Sequence, residues 1–377
     1  MLPSLLLLSL LACVGVTSPL DKRWYSVEAI DEHQIEGLFR PWSPVAGTDK
    51  HPVRYCFADA RSQKNLEKVV DHAIIKWKPA FEKSLLDIAP ENKKQLICED
   101  GKTRVDALVI RDATKDDNPD WNRGPECPTD SASTGYNYDP ALKNTQRHRL
   151  DFCHLDPDDV KGTEAQAVRA MMHEFGHAIG LQHEHQRQDR DDYLDFRCEN
   201  LIGYEKAKEM AQTDHLAHFT VDMEDEDRFR IMCDDDVIAD DYLPAALPFV
   251  RGDEGGHRNE LEKEQWEGFV WSNKFDYDSI MIYNSNANTP DDADPKDPKT
   301  WVLARKDGKP VWQGGSQRAA DAEISAGDIA RVMALYPKGG AKMKSSDWAV
   351  VPRNKENSAK GKGKGKGKGK APVTEGS

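Results

Sequence analysis

Residues 173–185 read His-Glu-Phe-Gly-His-Ala-Ile-Gly-Leu-Gln-His-Glu-His, and much of the chain's chemistry can be read from them. His173 and His177 are four residues apart, so on a helix both imidazoles project from one face and can reach one metal ion. Gly180 can adopt the positive φ that ends a helix and turns the chain back, which brings His183 round as a third ligand. Three histidines leave a fourth position open, as a catalytic zinc site requires.

Glu174 follows the first histidine and is placed beside the open position rather than among the ligands. A carboxylate there can accept a proton from water, whose pKa zinc lowers, and pass it to a leaving amine. The short motif His-Glu-x-x-His arises by chance in roughly three of a hundred chains of this composition, and requiring Gly180 and His183 lowers that rate below about one in ten thousand. The sequence therefore predicts one catalytic zinc ion. Four other histidines are interpreted as surface or core residues: His185, His215, His218 and His257.

The motif lies on the most strongly patterned helix of the chain. Thr163 and Gln166 have the spacing of a capping box, which starts a helix, and Gly180 is placed to end it. The apolar residues between them recur at helical spacing and predict one buried stripe, formed by Val168, Met171, Met172, Phe175, Ala178 and Ile179.

Mixed α and β structure is predicted before this helix. Stretches rich in Val, Ile and Leu and bounded by turn residues predict strands over 52–57, 95–98 and 105–111. Another helix is predicted to begin at the N-cap Ser62, and Pro79 is expected to kink or end it. Its apolar face consists of Leu66, Val69, Val70, Ala73, Ile74 and Trp77.

Residues 112–160 are rich in Pro and turn residues and are interpreted as loops. The last helix is predicted over 325–336, where Ser325 and Asp328 have capping-box spacing and Pro337 follows the end. Its predicted buried face consists of Ile329, Val332, Met333 and Tyr336.

The ends of the chain differ from its body. Residues 1–18 are typical of a secretory signal peptide and too short to span a bilayer. Residues 19–45 are interpreted as a pro-segment or N-terminal arm, in which Lys22-Arg23 is either a processing site or two surface charges. The catalytic domain is predicted over 46–340, and the Lys/Gly-rich tail over 341–377 is predicted to be disordered. We therefore expect a secreted, extracellular protein without a transmembrane segment.

The 377 residues carry a formal net charge of −14. This acidity argues against nucleic acid as a main partner, because phosphate binding needs clustered Lys and Arg. The basic tail is interpreted as an accessory contact for anionic surfaces.

Once the signal peptide is removed, six cysteines remain. This even number predicts up to three disulfides in an oxidising compartment and leaves their pairing open. They are Cys56, Cys98, Cys127, Cys153, Cys198 and Cys233.

An unusually acidic segment covers residues 222–241. Dense carboxylates favour a solvated insertion, and a calcium site is the alternative.

The residues that flank the histidine motif resemble the astacin family of secreted zinc endopeptidases, which are metzincins. Glu184 directly follows the third histidine, and the run from there to Tyr193 is similar to the family's continuation. Residues 275–283, Phe-Asp-Tyr-Asp-Ser-Ile-Met-Ile-Tyr, resemble the family's Met-turn segment. The closing helix is also similar, so the resemblance covers roughly residues 50–340.

The resemblance implies an α+β, zincin-like metalloprotease domain with a twisted N-terminal sheet, a long active-site helix and a C-terminal Met-turn subdomain. It implies that Met281 forms an apolar floor beneath the zinc, and that Tyr283 is a zinc-ligating tyrosine that swings away to hydrogen-bond the transition-state oxyanion. It also implies that Glu184 contacts the mature N-terminus after activation. An edge strand near 131–136 would hold an extended substrate by main-chain pairing.

Some features of the zymogen and the disulfides are also implied by the resemblance. Cys127 and Cys153 resemble the family's pair beside the substrate edge, whereas the other four cysteines do not match cleanly. An aspartate of the pro-segment would block the zinc before activation, and Asp31 and Asp49 are both candidates. Activation is expected near Arg40.

The sequence departs from the family near the Met-turn. Ile282 stands where the family usually has His, which changes the wall beside Tyr283 and leaves the zinc ligands intact. Residues 286–300 are acidic and Pro-rich in the region that helps form the S1′ pocket, so the family's side-chain preference does not carry over.

Together the motifs predict a zinc endopeptidase that hydrolyses internal bonds of protein or peptide substrates through a metal-activated water. Glu174 would act as general base and then acid, and Tyr283 would stabilise the oxyanion. The alternative is a catalytically silent secreted binding protein on the same fold, whose zinc is structural. A structural site is usually closed by a fourth protein ligand such as Cys, and Cys198 is the nearest one.

Overall fold

A five-stranded mixed sheet forms the first half of the fold in the computed structural model.

The structure describes residues 25–27, 39–45, 48–99, 102–104, 106–114, 130–137, 148–153, 163–187, 189–213, 223–251, 269–271, 274–312 and 322–338. The signal peptide, the Lys/Gly-rich tail, Asp31, Cys127, His215, His218 and His257 lie outside these ranges, so the predictions made for them stay predictions.

Eleven strands are found among the described residues. They are β1 (Tyr25–Val27), β2 (Phe39–Arg40), β3 (His51–Phe57), β4 (Leu86–Pro90), β5 (Ala107–Asp112), β6 (Ser131–Ala132), β7 (Tyr136–Asn137), β8 (Arg149–Phe152), β9 (Leu194–Phe196), β10 (Phe269–Trp271) and β11 (Leu303–Arg305). The five-stranded sheet has the order β4-β3-β5-β8-β6, with β6 antiparallel to β8 and the other pairs parallel. Three antiparallel pairs stand apart from it: β1 with β10, β2 with β7 and β9 with β11.

Six α-helices are described. They are α1 (Ala60–Lys83), α2 (Thr163–Ile179), α3 (Tyr204–Thr213), α4 (Asp225–Asp234), α5 (Asp236–Tyr242) and α6 (Ala326–Leu335). Short 3₁₀ turns cover Glu184–Gln186, Arg190–Asp192, Cys198–Asn200 and Pro244–Phe249. Within the described ranges, no helix combines the length and apolarity needed to cross a membrane. The mixture of helices and sheets confirms the predicted α+β class.

The start of α1 differs from the prediction. Its N-cap is Asp59, whose carboxylate accepts a hydrogen bond from Ser62 N at 2.7 Å. Ser62 is instead buried inside the first turn, and its Oγ accepts a hydrogen bond from Asp112 N at 3.0 Å. The helix also continues through Pro79 to Lys83. Trp77 and Ala80 on either side of this proline are fully buried, and their packing outweighs one lost backbone hydrogen bond.

The predicted strands are right in part. The strand over 52–57 is confirmed as β3, and the one over 105–111 is found as β5, shifted to Ala107–Asp112. The strand over 95–98 is wrong, because this segment forms only an isolated bridge between Ile97 and Phe57 and is held by the Cys56–Cys98 disulfide. The loop interpretation of 112–160 missed β8, a mostly buried strand within it.

Two large hydrophobic cores lie among the described residues, beside a small cluster of Cys56, Ala107 and Val109. One lies between the sheet, α1, α2 and α6, and includes Ile280 and Met281 of the Met-turn segment. The other lies among α3, α4, α5 and the turn at Pro244–Phe249, and includes Ile282. Consecutive residues of one short segment therefore belong to different cores, which places the Met-turn where the two cores meet.

The acidic segment is folded as well as solvated. Its carboxylates on α4 and α5 are largely exposed, as expected of an insertion in water. The opposite face packs into the second core through Met232, Ile238 and Ala239. A disulfide between Cys198 and Cys233 fixes α4 to the chain that follows β9.

Trp42 joins the N-terminal arm to the active-site helix. The indole is 2% exposed and belongs to the first core, although the sequence analysis placed this residue in the arm. Its Nε1 donates to the carbonyl of Ala178 at 2.6 Å, close to the end of α2. Tyr336 reinforces this contact, since its hydroxyl accepts from Trp42 N at 3.3 Å and donates to the carbonyl of Ile179 at 2.6 Å.

The substitution Trp42→Ala is expected to lower the free energy of unfolding by about 3–5 kcal/mol, because it removes a large buried side chain. Trp42→Phe keeps most of the apolar volume and loses the Ala178 hydrogen bond, so we expect a smaller loss of about 1–2 kcal/mol. Denaturant unfolding of the disulfide-intact protein measures both values. Equal stability of the wild type and the alanine variant would show that the arm does not support the core.

Candidate metal centre and active site

Helix α2 presents the first two histidines of the motif, and its end presents the third. Gly180 has φ of +115°, the left-handed region expected at a helix C-terminus. Its backbone N–H donates to the carbonyls of Gly176 and His177 at 3.1 and 2.8 Å, and Leu181 N donates to Gly176 at 2.8 Å. The predicted turn at Gly180 is therefore confirmed, and it carries the chain back over the helix to His183.

The three histidines converge on one point. His183 Nε2 lies 2.9 Å from His173 Nε2 and 3.0 Å from His177 Nε2. Among the described residues, these three form the only group of three or more His, Cys, Asp or Glu side chains placed to share a metal ion. No such cluster lies in the described part of the acidic segment, so the structure offers no candidate calcium site there.

The other nitrogen of each ring has an oxygen acceptor. His173 Nδ1 donates to the carbonyl of Ile280 at 3.0 Å, and His177 Nδ1 donates to the carbonyl of Leu181 at 3.0 Å. His183 Nδ1 donates to Gln186 Oε1 at 2.7 Å. Because these oxygens accept hydrogen bonds, they fix the proton on Nδ1 and leave an unprotonated Nε2 on each ring.

This arrangement fits a zinc ion. Burial lowers the pKa of His173 and His183 well below the ordinary value and that of His177 to about 4, so all three rings stay neutral. Three neutral imidazoles whose lone pairs face one another at about 3 Å repel without a cation between them. Neutral imidazole nitrogen is an ordinary zinc ligand.

Glu174 is buried beside this centre, at 5% exposure. Desolvation raises the pKa of its carboxyl to about 8, and the negative charge of Asp130 adds to the shift. Within the described part of the chain, Glu174 Oε2 has no hydrogen-bond partner. A buried carboxylate oxygen without a protein partner is suited to bind a substrate or a water molecule.

Met281 packs against α2 at Gly176, one residue before His177. It is 1% exposed, and a Cβ atom built at Gly176 would overlap its Sδ. Gly176 is therefore needed for the close approach of the Met-turn to the helix. The carbonyl of Met281 also accepts a hydrogen bond from Glu184 N at 3.2 Å, which joins the Met-turn to the segment that carries His183.

Glu184 links the same two segments through its side chain. It is 1% exposed, and its Oε1 accepts hydrogen bonds from Arg187 Nη1 at 2.7 Å and from Asp276 N at 2.8 Å. Arg187 is fully buried, and it also donates to the carbonyl of Lys274 at 2.7 Å. The contact of Glu184 with a mature N-terminus stays a prediction.

Tyr283 lies beside the rings of His173 and His183. Its ring centroid is 4.8 Å from that of His183 and 6.0 Å from that of His173. Burial raises the pKa of its hydroxyl, and the charges of Glu174 and Asp130 raise it further. The phenol therefore keeps its proton at neutral pH and can donate a hydrogen bond.

His185 contacts both the ring and the backbone of Tyr283. Its ring lies 4.5 Å from the tyrosine ring, its Nε2 donates to the carbonyl of Pro248 at 2.9 Å, and its Nδ1 accepts from Tyr283 N at 3.3 Å. His185 is fully buried, so its interpretation as a satisfied core residue is confirmed.

Asp328 is a supporting residue whose role the sequence analysis missed. The capping box with Ser325 is confirmed, but the same carboxylate also accepts hydrogen bonds from Ile280 N at 2.9 Å and from Ser279 Oγ at 2.7 Å. Ile280 is the residue whose carbonyl orients His173. No spacing rule connects the cap of a distant helix to this segment, so only the tertiary structure brings them together.

The predicted edge strand is found next to the centre. β6 is the last strand of the five-stranded sheet, and Ser133 N extends its pairing by donating to the carbonyl of Arg149 at 2.8 Å. Gly135 N donates to the carbonyl of His177 at 2.8 Å, and Gln182 Nε2 donates to Thr134 Oγ1 at 3.1 Å. These bonds hold the edge segment close to His177 and to Gln182, the residue before His183.

A cavity of about 390 Å³ opens beside Glu174. Two elements contribute most of its wall, one face of α2 and the Met-turn segment with the residues that follow it. The lining residues are Asp130, Gln166, Arg169, Ala170, His173, Glu174, Ile280, Ile282, Tyr283, Asn284, Ala287, Asn288 and Trp312. Ile282, which departs from the family pattern, is thus part of the wall beside Tyr283, as the sequence analysis expected.

Residues 161–224 match the family model described as Astacin (Peptidase family M12A). A stretch of 37 residues is 51% identical to Astacin-like metalloprotease toxin 4 of Loxosceles laeta, and it spans 10% of this chain and 32% of that protein. The resemblance drawn from the motifs is confirmed by these matches. The segment that carries the three histidines is therefore similar to the corresponding segment of astacin-family metalloproteases.

Solved structures give more distant matches. High choriolytic enzyme 1, a hatching enzyme zinc-protease from Oryzias latipes, aligns with 14% identity and a TM-score of 0.43 over 78% of this chain and 94% of that chain. Myroilysin aligns with 14% identity and a TM-score of 0.35 over 76% of this chain and 93% of that chain.

The substitution Asp328→Ala is expected to weaken zinc binding about 10- to 100-fold, because it removes both carboxylate oxygens that accept hydrogen bonds from Ile280 N and Ser279 Oγ and that orient His173 through Ile280. Competition with a chelator measures this affinity. Ser325→Ala is the control, since it removes the helix cap and the hydrogen bond from Ser325 Oγ to Asp276 Oδ2 but leaves Asp328 to hold Ile280. If both variants lose the same affinity, Asp328 acts only through the stability of α6.

Proposed function

We propose that the chain is a secreted zinc-dependent endopeptidase that hydrolyses internal peptide bonds of proteins. The observation that carries this proposal is the convergence of His173, His177 and His183 Nε2 atoms beside the buried carboxylate of Glu174. A metal centre with an adjacent unpartnered carboxylate is suited to hydrolysis rather than to a purely structural role.

His173, His177 and His183 would hold the zinc ion, with Met281 as the floor of the site. Zinc would act there as a Lewis acid toward the scissile carbonyl and the attacking water. The chain's own groups perform the remaining tasks. With the cation beside it, the Glu174 carboxyl would have a lower pKa and stay ionised, so that Glu174 takes the proton of the attacking water and then delivers it to the leaving nitrogen. The Tyr283 hydroxyl donates a hydrogen bond to the oxyanion that develops in the transition state.

The edge segment around β6 would bind the substrate as an added strand. Its outer side is the edge of the sheet, and backbone pairing there holds a peptide extended and independent of its sequence. The bonds from Gly135 and Gln182 keep this edge close to the histidines, so the paired peptide passes the metal centre.

Secretion is supported by the disulfides Cys56–Cys98 and Cys198–Cys233, which are typical of oxidising compartments. Cys153 is disulfide-bonded as well. We propose the same order of parts along the chain as the sequence predicts: signal peptide, pro-segment, catalytic domain and basic tail. In the zymogen, an aspartate of the pro-segment would block the zinc.

The competing function is a silent binding protein on the same fold. Digestion of an unfolded protein by the purified secreted chain, with and without a zinc chelator, separates the two. We expect new internal termini that the chelator abolishes. Tight zinc binding without any cleavage, after treatment with trypsin to remove a pro-segment, would favour the binding protein.

The substitution Glu174→Gln is expected to keep one zinc ion per chain and to lower kcat/KM about 10³- to 10⁴-fold, because the amide cannot accept the proton of water. Zinc content by elemental analysis and peptide hydrolysis are measured on the same sample. Normal cleavage by this variant would refute the role of Glu174.

The substitution Tyr283→Phe is expected to keep the zinc and to lower kcat about a hundredfold, with a smaller change in KM, because the oxyanion loses one hydrogen-bond donor. Tyr193→Phe is a suitable control, since its hydroxyl lies outside the cavity lining. A loss confined to KM would assign Tyr283 to substrate binding instead.

A further inference from the structure

Two buried hydrogen bonds hold the loop after the third histidine against the second core. His185 Nε2 donates to the carbonyl of Pro248 at 2.9 Å, and the guanidinium of Arg190 donates to the carbonyl of Phe249. Both donor side chains are fully buried. A buried donor that loses its acceptor is costly, so these bonds keep the loop at one position relative to the segment 248–250.

Gln186 adds a third contact with this segment and also contacts the third histidine. Its Nε2 donates to the carbonyl of Val250 at 3.1 Å, and its Oε1 accepts from His183 Nδ1 at 2.7 Å. A carbonyl can only accept, so the bond to Val250 requires the NH₂ group of the amide on that side and the oxygen on the side of His183. The orientation of one amide therefore fixes the proton on His183 Nδ1 and leaves Nε2 for the metal.

The position of this amide depends on the second core. Val250 is 6% exposed and Phe249 is fully buried, and both side chains belong to that core. Val250 N also donates to the carbonyl of Leu247 at 3.3 Å, at the end of the 3₁₀ turn. The disulfide between Cys198 and Cys233 lies in the same core. Changes in the packing of the second core can therefore move the acceptor of the Gln186 amide.

The other two histidines are oriented by a different part of the fold. The acceptors of His173 and His177 are the carbonyls of Ile280 and Leu181, and both of these residues belong to the first core. These acceptors are backbone groups, whereas the acceptor of His183 is a side chain bonded to the second core. The metal centre thus has two ligands oriented from one core and one ligand oriented from the other.

We propose that Gln186 is a positioning residue that couples the packing of the second core to the zinc affinity of the centre. The proposal rests on the proposed zinc centre and does not depend on peptide hydrolysis. Without Gln186, the Nδ1–H group of His183 loses its acceptor, so the ring can rotate away from the other two. A loosened second core acts in the same direction, because it shifts the carbonyl of Val250 and with it the amide.

The first test compares the zinc affinity of three variants of the full chain by competition with a chelator. Gln186→Leu removes both bonds at similar size, and we expect zinc binding to weaken about 10- to 100-fold. Gln186→Glu keeps an acceptor for His183 Nδ1, and we expect an affinity no weaker than that of the wild type, since a carboxylate raises the basicity of the ligand. Gln63→Leu is the matched control, because it removes a half-buried amide on α1 that donates to Glu67 at 3.0 Å, and we expect no change in affinity.

Three results would contradict these expectations in different ways. Equal affinities of the wild type and Gln186→Leu would overturn the proposal and leave the zinc centre intact. An equal loss in Gln186→Leu and Gln186→Glu would assign the effect to packing alone and would also overturn the proposal. Absence of zinc binding by the wild type would overturn the zinc centre as well.

The second test measures the coupling between the second core and the metal centre. Cys198→Ala combined with Cys233→Ala loosens this core, and we expect it to weaken zinc binding about threefold more in the wild type than in the Gln186→Glu background. The reason is that an ionised carboxylate cannot donate to the carbonyl of Val250. Ile238→Val removes one methylene group from the same core, and it gives the same comparison if the disulfide variant does not fold. An equal loss in both backgrounds would overturn the coupling.

The third test is the visible spectrum of the cobalt-loaded chain, because the absorption bands of Co²⁺ depend on the geometry of its ligands. We expect Gln186→Leu to shift these bands relative to the wild type and Gln63→Leu to leave them unchanged. Identical spectra of the wild type and Gln186→Leu would show that His183 keeps its orientation without the amide, which would overturn the proposal.

Discussion

The hydrogen bond from His173 Nδ1 to the carbonyl of Ile280 connects the two halves of the molecule, and the metal centre depends on it. It fixes the tautomer and the rotation of the first histidine, so that Nε2 faces the other two rings. Ile280 in turn is held by Asp328 at the start of the last helix. Residues far apart in the chain thus set the orientation of one imidazole, and a shift in any of them changes the ligand geometry.

The position of the Met-turn between two cores gives consecutive residues different packing neighbours. Met281 packs against Gly176 within the first core and keeps a fixed distance from the helix. Ile282 faces the second core and, with Tyr283, forms the wall of the cavity. The side chains of Ile282 and Tyr283 can therefore vary without disturbing the packing of Met281 on Gly176.

Much of the metal centre could be predicted from the sequence, because its geometry is local. The spacing of His173 and His177 follows from the helix period, and Gly180 supplies the turn that local conformation demands. The oxygen acceptors of the histidines and the supporting role of Asp328 required the tertiary structure. The same limit explains the errors in α1, where burial of Ser62 and packing around Pro79 overrode the local capping and helix-breaking rules.

The burial of Trp42 bears on the proposed removal of a pro-segment. Its indole closes the end of the active-site helix, and its backbone carbonyl accepts a hydrogen bond from His51 Nδ1 at 2.5 Å. A protease that cuts before Pro41 leaves this residue attached and the helix end covered. A cut after Trp42 would remove the side chain that covers this helix end. The packing of one side chain therefore sets how far the N-terminal arm could be shortened before the first core loses part of its cover.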